Sequence, residues 1–539
     1  MYISGPNLSP NSGFTGSTSA ILLLPFEIRL LILAHVRQQD IIQVARVCSF
    51  WLPPARYLLY RNVHLEADSR HLLLTLSALE NKDILARIRT LRLTSSTIQN
   101  ARTSRYDHWL GHGLSNTWIP MGIFSGMPQL EELTLVGCPF PTFFDQQGFL
   151  LIVRTCCPAL RSFTYQPNKT TFPESSTTFD IAGLQTAIWY TPYASGLKPQ
   201  ALSLFMASLT TITDLRVLKH NEILPNISTD LSEWHMLLSL RFPVLTSLTF
   251  GHLDTQTHHP IMRASELTKF LLAHPLIVNL SLGADLAKGQ YMKIASDDSD
   301  TDDTSTNLVT KSFLPALRSL STHQSNIAFL ARRRVRSLRR LTHLCVLYTI
   351  PFSSSGRLPP SAIADYDAFD RAEGFPAVHS LRVELESAAE SDSYRQADEK
   401  MAQVINERLA RACPEVRKLE WSFQMILDKD ELAAFLAPYH NLRSIFAPAQ
   451  MVQLAKMNYP SDLRPCQHLV DYFSPLASKC PNLKEVYIPD GSIFSSRRRE
   501  GVRCVITRTF ALTLAGERSE GLEIDVIPGC EDSLFTRES

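Results

Sequence analysis

The side chains able to do bond chemistry are few in this 539-residue chain, and their spacing does not favour it. His108 and His112 stand four apart and His258 and His259 are adjacent, yet neither pair has a Cys or carboxylate at ligand spacing to complete a metal centre. The ten cysteines include no C-x-x-C pair, a usage that fits reduced thiols in an intracellular protein better than a disulfide framework or zinc site. Cys48 is a conceivable nucleophile, but it shares a helical face with Val44 and Ala45, where burial raises a thiol pKa and makes it a core residue. No G-x-S-x-G, phosphate-cradling glycine loop or H-E-x-x-H occurs, and 21 glycines are sparse for this length. The expectation is no catalytic residue, no metal and no cofactor.

Anion recognition is the chemistry that the residue types do support. Arg332, Arg333, Arg334, Arg336, Arg339 and Arg340 put six guanidinium groups into nine residues, suited to bidentate contacts with an acidic or phosphorylated partner. The same run could be a solvated helical face, a nuclear address, or the partner of the acidic stretch Ser296 to Asp303. That stretch sets Ser and Thr before carboxylates, which suits acidophilic kinases, or is a plain solvated loop.

Composition narrows the classes further. A net charge of +1 with 19% charged residues gives no global attraction to nucleic acid or membrane, and 45% hydrophobic residues argue a folded protein. No apolar run reaches the 18 or so residues that a membrane span needs. The first 20 residues lack the charge and apolar core of a secretory signal, so a cytoplasmic or nuclear location is expected. Residues 1–19, rich in Ser, Gly, Asn and Pro, read as a disordered leader.

Residues 20–61 predict three short helices. From Pro25 to Val36, apolar residues occupy one helical face at Ile28, Leu31, Ile32 and Val36 and the opposite face at Phe26, Leu30 and Leu33. A helix apolar all round must be covered on all sides, and a unit of about 40 residues is too small to do this alone. Asp40 reads as the N-cap of a second helix carrying Ile41, Val44, Ala45 and Cys48, while Pro53 and Pro54 end it and set up a third with Ala55, Leu58 and Leu59. Leu24-Pro25-x-Glu27-Ile28, Asp40-Ile41-Ile42 and Val47-Cys48-x-x-Trp51 together resemble an F-box. The chain departs from that pattern at Arg37-Gln38-Gln39, where an acidic residue and a proline often sit, and at Phe50, where a basic residue is usual.

Behind this unit, the pattern apolar-x-x-apolar-x-apolar recurs from Ile88-x-x-Leu91-x-Leu93 to Leu483-x-x-Val486-x-Ile488, twelve copies by our count. The last two apolar residues are two apart, the strand period. Helical stretches precede several copies, among them Leu267 to Leu272, Val404 to Leu409 and Leu469 to Leu476, each followed by a Pro turn. Neither helix nor short strand can bury its apolar side alone, so stacking into a parallel sheet with helices outside is expected. The series resembles a leucine-rich-repeat horseshoe with a parallel sheet on the concave side and helices on the convex side. Its spacing is irregular, from about 24 to about 52 residues, and the family's Asn or Cys after the strand is mostly missing. Residues 62–528 are assigned to the repeats, with an acidic insertion at 296–304, Val63 opening the first strand, Leu522-x-Ile524-x-Val526 the last, and 529–539 a tail.

An F-box followed by leucine-rich repeats resembles the substrate receptors of Skp-cullin-F-box ubiquitin ligases, and the overall texture resembles the expanded F-box families of mushroom-forming fungi. The resemblance implies a non-catalytic α/β protein that grips a Skp adaptor, and through it a cullin, while the repeats bind a target protein. Carried over position by position, the adaptor-facing residues are Leu24, Pro25, Glu27, Ile28, Leu31, Ile32, Val36, Ile41, Ile42, Val47, Cys48 and Trp51. A Skp-binding recruitment protein that engages no cullin, and a pure repeat scaffold with a helical cap, remain the alternatives.

Overall fold

A computed structural model describes residues 24–36, 38–47, 49–66, 79, 81–94, 121–136, 153–166, 181, 183–191, 209–219, 237–251, 264–285, 290–294, 309–349, 374–386, 392–421, 429–446, 467–488, 501–512 and 518–530. The leader, the acidic stretch 296–304, both histidine pairs and Cys48 lie outside the described residues. The chain divides into two compact units, Met1–Thr164 and Tyr165–Ser539.

The first unit opens with α1 (Phe26–Ala34), α2 (Gln38–Val47) and α3 (Leu52–Arg61). Pro25 is the N-cap of α1, its carbonyl accepting the Arg29 N–H at 3.1 Å, with Glu27 in the positively polarised first turn. Helix α2 starts two residues before the expected cap, so Asp40 sits in its first turn and acts on the helix dipole instead of closing the end. Pro53 and Pro54 lie at the start of α3, where a missing N–H costs nothing. Leu33, Ile41 and Ala55 form the core, with Val36, Val44, Ala45, Trp51, Leu58 and Leu59 packed against it.

Helix α3 runs directly into β1 (Asn62–Glu66), followed by α4 (Lys82–Leu85), β2 (Thr90–Thr94), a 3-10 helix (Met121–Gly126), β3 (Glu132–Val136) and β4 (Ser162–Gln166). β1, β2 and β3 are parallel and their apolar residues align, Val63 with Leu91 with Leu133 and Leu65 with Leu93 with Leu135.

In the second unit the same alignment runs much further. Its strands are β5 (Thr186–Thr191), β6 (Asp214–Lys219), β7 (Ser247–Phe250), β8 (Asn279–Leu282), β11 (Ser319–His323), β12 (His343–Thr349), β13 (Ser380–Glu386), β14 (Lys418–Trp421), β15 (Ser444–Phe446) and β16 (Glu485–Ile488). A small antiparallel pair, β9 (Ala284–Asp285) and β10 (Gln290–Tyr291), stands apart from them. From β5 to β16 the pairing is parallel, and one column joins Leu215, Leu248, Leu280, Leu320, Leu344, Leu381, Leu419, Ile445 and Val486 as successive partners. Every member of that column is 2% exposed or less. The repeat seen in the sequence is therefore the register of the sheet: a slip by one residue would turn the whole column to solvent.

Helices α5 (Ala264–Leu272), α6 (Gln324–Arg332), α7 (Asp392–Ala412), α8 (Lys429–Leu436) and α9 (Gln467–Lys479) fall between strands. They cover the buried face: the Phe270 ring lies 6.4 Å from Phe250, and Phe435 meets Trp421 edge-on at 4.9 Å. Buried amides tie the helices to their neighbours: α7 to α8, and α6 to the segment after β10. Asn406 Nδ2 on α7 donates to the Phe435 carbonyl on α8, and Asn326 on α6 accepts the Ile294 N–H at 3.0 Å while donating to Met292 O at 2.6 Å.

The expected parallel order fails at the C-terminus. β17 (Gly501–Leu512) was not anticipated and pairs antiparallel with both β16 and β18 (Arg518–Cys530). A direct hairpin needs no crossover helix, which is why the ladder can reverse here. β18 contains Leu522, Ile524 and Val526 as expected and extends two residues into the assigned tail. β5 also escaped the repeat count, because Leu184-x-x-Ala187-x-Trp189 puts the small Ala187 at the central position.

Candidate functional site

The three helices leave an apolar face uncovered. Leu33 is 2% exposed and points inward, whereas Ile28 (42%), Leu31 (60%), Ile32 (42%) and Ile42 (43%) are open to solvent. Ile28, Leu31 and Ile32 share one face of α1, Ile42 stands on α2, and each costs solvation free energy where it stands. The remaining residues carried over from the F-box pattern divide differently. Pro25 and Glu27 are exposed beside this face and Leu24 is half-buried. Ile41 belongs to the three-helix core, with Val36 and Trp51 packed on it, so these three are occupied within the unit. The Val47 side chain and Cys48 lie outside the description.

The face is held by a clasp that the sequence did not reveal. The Arg29 guanidinium stacks over the Phe50 ring at 3.9 Å, lies 5.9 Å from the Phe26 ring, and donates to the Phe50 carbonyl. Phe26 also meets Tyr57 edge-on at 6.2 Å. Phe50, conspicuous in the sequence because a basic residue is usual there, supplies the surface on which Arg29 fixes α1 to the α2–α3 connection.

The arginine run is split between two elements. Arg332 ends α6, Arg333 caps it with its guanidinium 5.7 Å from the Phe329 ring, and Arg334 takes φ +53° so that the chain can turn. Arg336, Arg339 and Arg340 belong to a 3-10 helix, Arg336–Arg340. All six are exposed, while the interleaved Val335, Ser337 and Leu338 are buried.

The sheet face opposite the helices carries charge at its centre. Arg382 on β13 pairs with Glu384 at 2.6 Å, and its Nε stands 3.4 Å from the buried Glu420 on β14. Cys345, beside them on β12, has its thiol pushed up to about 12, first by burial and then by Glu384, which disfavours the thiolate. Cys157 is likewise raised to about 12, by burial and then Cys156, with its sulfur 3.8 Å from the Phe124 carbonyl. Among the described residues no group of three His, Cys, Asp or Glu is arranged to hold a metal ion, and no helix is long and apolar enough to cross a membrane.

A buried residue before proline recurs at the turns: Met127, Cys157, Phe242, His274, Leu314, Phe375, Cys413 and Cys480 each precede a Pro and are 2% exposed or less. In most of these the carbonyl accepts the N–H three residues on, as from Cys157 to Leu160 at 3.1 Å, which is a proline-led β-turn aiming the chain into its strand. At His274 the turn is joined to its neighbour: Nε2 accepts the Phe242 N–H at 2.9 Å, leaving Nδ1–H to donate to Phe270 O at 2.6 Å.

No family model matches the chain, and no curated protein matches it. Among solved structures, the crystal structure of the Rad7 and Elc1 complex in yeast aligns with 76% of this chain and 92% of that one, at 14% identity and a TM-score of 0.36. By its own geometry the chain is an α/β protein whose strands form long, predominantly parallel, in-register ladders with helices stacked between successive strands, the organisation of a solenoid.

Proposed function

We propose that the chain is a substrate-recognition subunit of a Skp-cullin-F-box ubiquitin ligase, acting inside the cell in the cytoplasm or nucleus. In this reading residues 20–61 are an F-box docking a Skp adaptor, and the parallel ladders are a leucine-rich-repeat horseshoe that holds the target. The observation that carries it is the exposure of Ile28, Leu31 and Ile32 along one face of α1, and of Ile42 on α2, on residues already resembling an F-box. The chain does no bond chemistry: it contributes position, making the encounter of a target lysine with a ubiquitin thioester effectively intramolecular.

Co-expression with a Skp adaptor tests the reading. A stable one-to-one complex is expected, abolished by Pro25→Ala combined with Ile28→Asp; failure of the wild-type chain to co-purify removes it. Adding a cullin and its ring-finger partner then separates a ligase receptor from a cullin-free recruitment protein.

A further inference from the structure

The residue just before each parallel strand of the second unit, from β5 to β16, occupies one repeating position, defined by its carbonyl. Arg318 O accepts the Thr342 N–H at 2.8 Å and the His343 N–H at 3.2 Å; Arg417 O accepts those of Arg443 and Ser444 at 2.7 and 2.9 Å. The same link joins Thr342 to His379, His379 to Arg417 and Arg443 to Lys484. Members of this row are thus one strand apart, about 4.8 Å. Through Gln185, Thr213, Thr246 and Val278 the row is uncharged. From Arg318 onward, interrupted by the uncharged Thr342, it turns basic, with Arg318, Arg417, Arg443 and Lys484 all exposed and His379 half-buried edge-on to His343 at 5.0 Å.

The arginine run joins this edge. Its 3-10 helix leads straight into Thr342, Arg318 Nη1 donates to the Arg340 carbonyl at 3.2 Å, and the Arg336 N–H donates to the Lys311 carbonyl at 3.0 Å. Ser337 Oγ anchors that helix on Phe313 O at 3.0 Å, leaving Arg336 and Arg340 in solvent. Residues 309–349 contain eight Lys and Arg and no Asp or Glu. Nearby carboxylates have their own partners: Glu384 and Glu420 lie on Arg382, Glu485 accepts from Tyr487 at 2.7 Å, and Glu415 accepts from Asn441 at 3.4 Å.

We propose that this edge, from Arg336 and Arg340 through Arg318 and Arg417 to Arg443 and Lys484, binds an extended anionic peptide lying across the strands. Guanidinium forks grip carboxylate or phosphate bidentately; Arg417, Arg443 and Lys484 stand on successive strands about 4.8 Å apart, Arg318 stands three strands (about 14 Å) before Arg417, and same-side residues of an extended peptide recur at about 6.8 Å, so flexible side chains can meet alternate peptide positions at both groups. Nucleic acid fits less well, because no Phe, Tyr or Trp stands in the basic row to stack a base, the His379 ring is already against His343, and the chain as a whole carries a net charge of only +1. The inference does not rest on adaptor docking, which belongs to the other unit.

Fluorescence anisotropy on the full chain tests it, with a labelled Ser-Asp alternating dodecapeptide, its phosphoserine form, a Ser-Asn control, and an oligouridylate of matched charge. The acidic peptides should bind, more weakly as salt rises, and Arg417→Glu with Arg443→Glu should raise Kd by about tenfold or more. The tighter of the two peptides names the anion. Should that variant unfold, Arg417→Gln with Arg443→Gln, together with the wild-type salt dependence, reads the same quantity. Equal binding of the Ser-Asn control, an unchanged Kd in the folded variant, or tighter binding of oligouridylate overturns the proposal. Adaptor co-purification is unaffected by these substitutions, so failure here and failure of the F-box reading are distinguishable.

Discussion

Leu31 and Leu33 lie two residues apart on one helix, and replacing each with alanine should separate docking from folding. Leu31 is 60% exposed, so about 60% of the roughly 1.5–3 kcal/mol for burying a leucine is still to be gained when a partner covers it. Leu31→Ala should therefore weaken adaptor binding by about 1–2 kcal/mol, roughly a fivefold to thirtyfold rise in Kd by titration calorimetry with a purified Skp adaptor. Its unfolding free energy in urea should stay within about 0.5 kcal/mol of the wild type, since most of that residue already faces solvent. Leu33, 2% exposed in the core with Ile41 and Ala55, should behave in the opposite way. Leu33→Ala should cost about 2–5 kcal/mol of stability through lost burial and a residual cavity. The reasoning fails if Leu31→Ala destabilises the chain as Leu33→Ala does, or leaves adaptor Kd unchanged.

Gly374 takes φ +68° and a β-carbon there would stand 3.0 Å from the Ala412 carbonyl, so Gly374→Ala should cost about 1–3 kcal/mol in urea unfolding with the m-value unchanged. His323 is held neutral by burial, its pKa lowered to about 3, while its side chain accepts the Ser325 N–H at the start of α6. The unfolded chain binds that proton from about pH 6.5 downward and the folded chain does not, so stability is full above that pH. It should fall by about 1.4 kcal/mol per pH unit between about 6.5 and 3, a slope that His323→Asn flattens in pH-dependent melting curves.

What could be read from the sequence and what could not differ for physical reasons. Leu381 and Leu419 announce themselves because large apolar residues must fill the column at every strand. Ala187 fills the same column without a large side chain, so β5 was silent. The buried position before proline stayed hidden because Met127, Phe242, His274 and Cys413 share only location and burial, not residue type. Ile28, Leu31 and Ile32 were already marked by a helix apolar on all sides, whereas Ile42 was named only through the F-box resemblance. Which carried-over residues would remain outside, and that Ile41 would not, depended on packing that periodicity leaves open. The Arg29 clasp joins residues 21 apart, and the basic row exists only once the register has brought Arg318, Arg417, Arg443 and Lys484 to one edge.

The column of aligned leucines also sets what the chain can change cheaply. In the second unit successive first apolar positions, such as Leu317 to Leu341 and Leu442 to Leu483, are separated by as few as 24 and as many as 41 residues, yet the strands stay in step. Closing the longer connection instead of the shorter costs only about 0.5 kcal/mol of loop entropy, because that cost grows with the logarithm of length. Connections can therefore be lengthened, shortened and rewritten almost without charge to the scaffold, so that the surface meeting a partner can diverge quickly while the ladder beneath it stays the same.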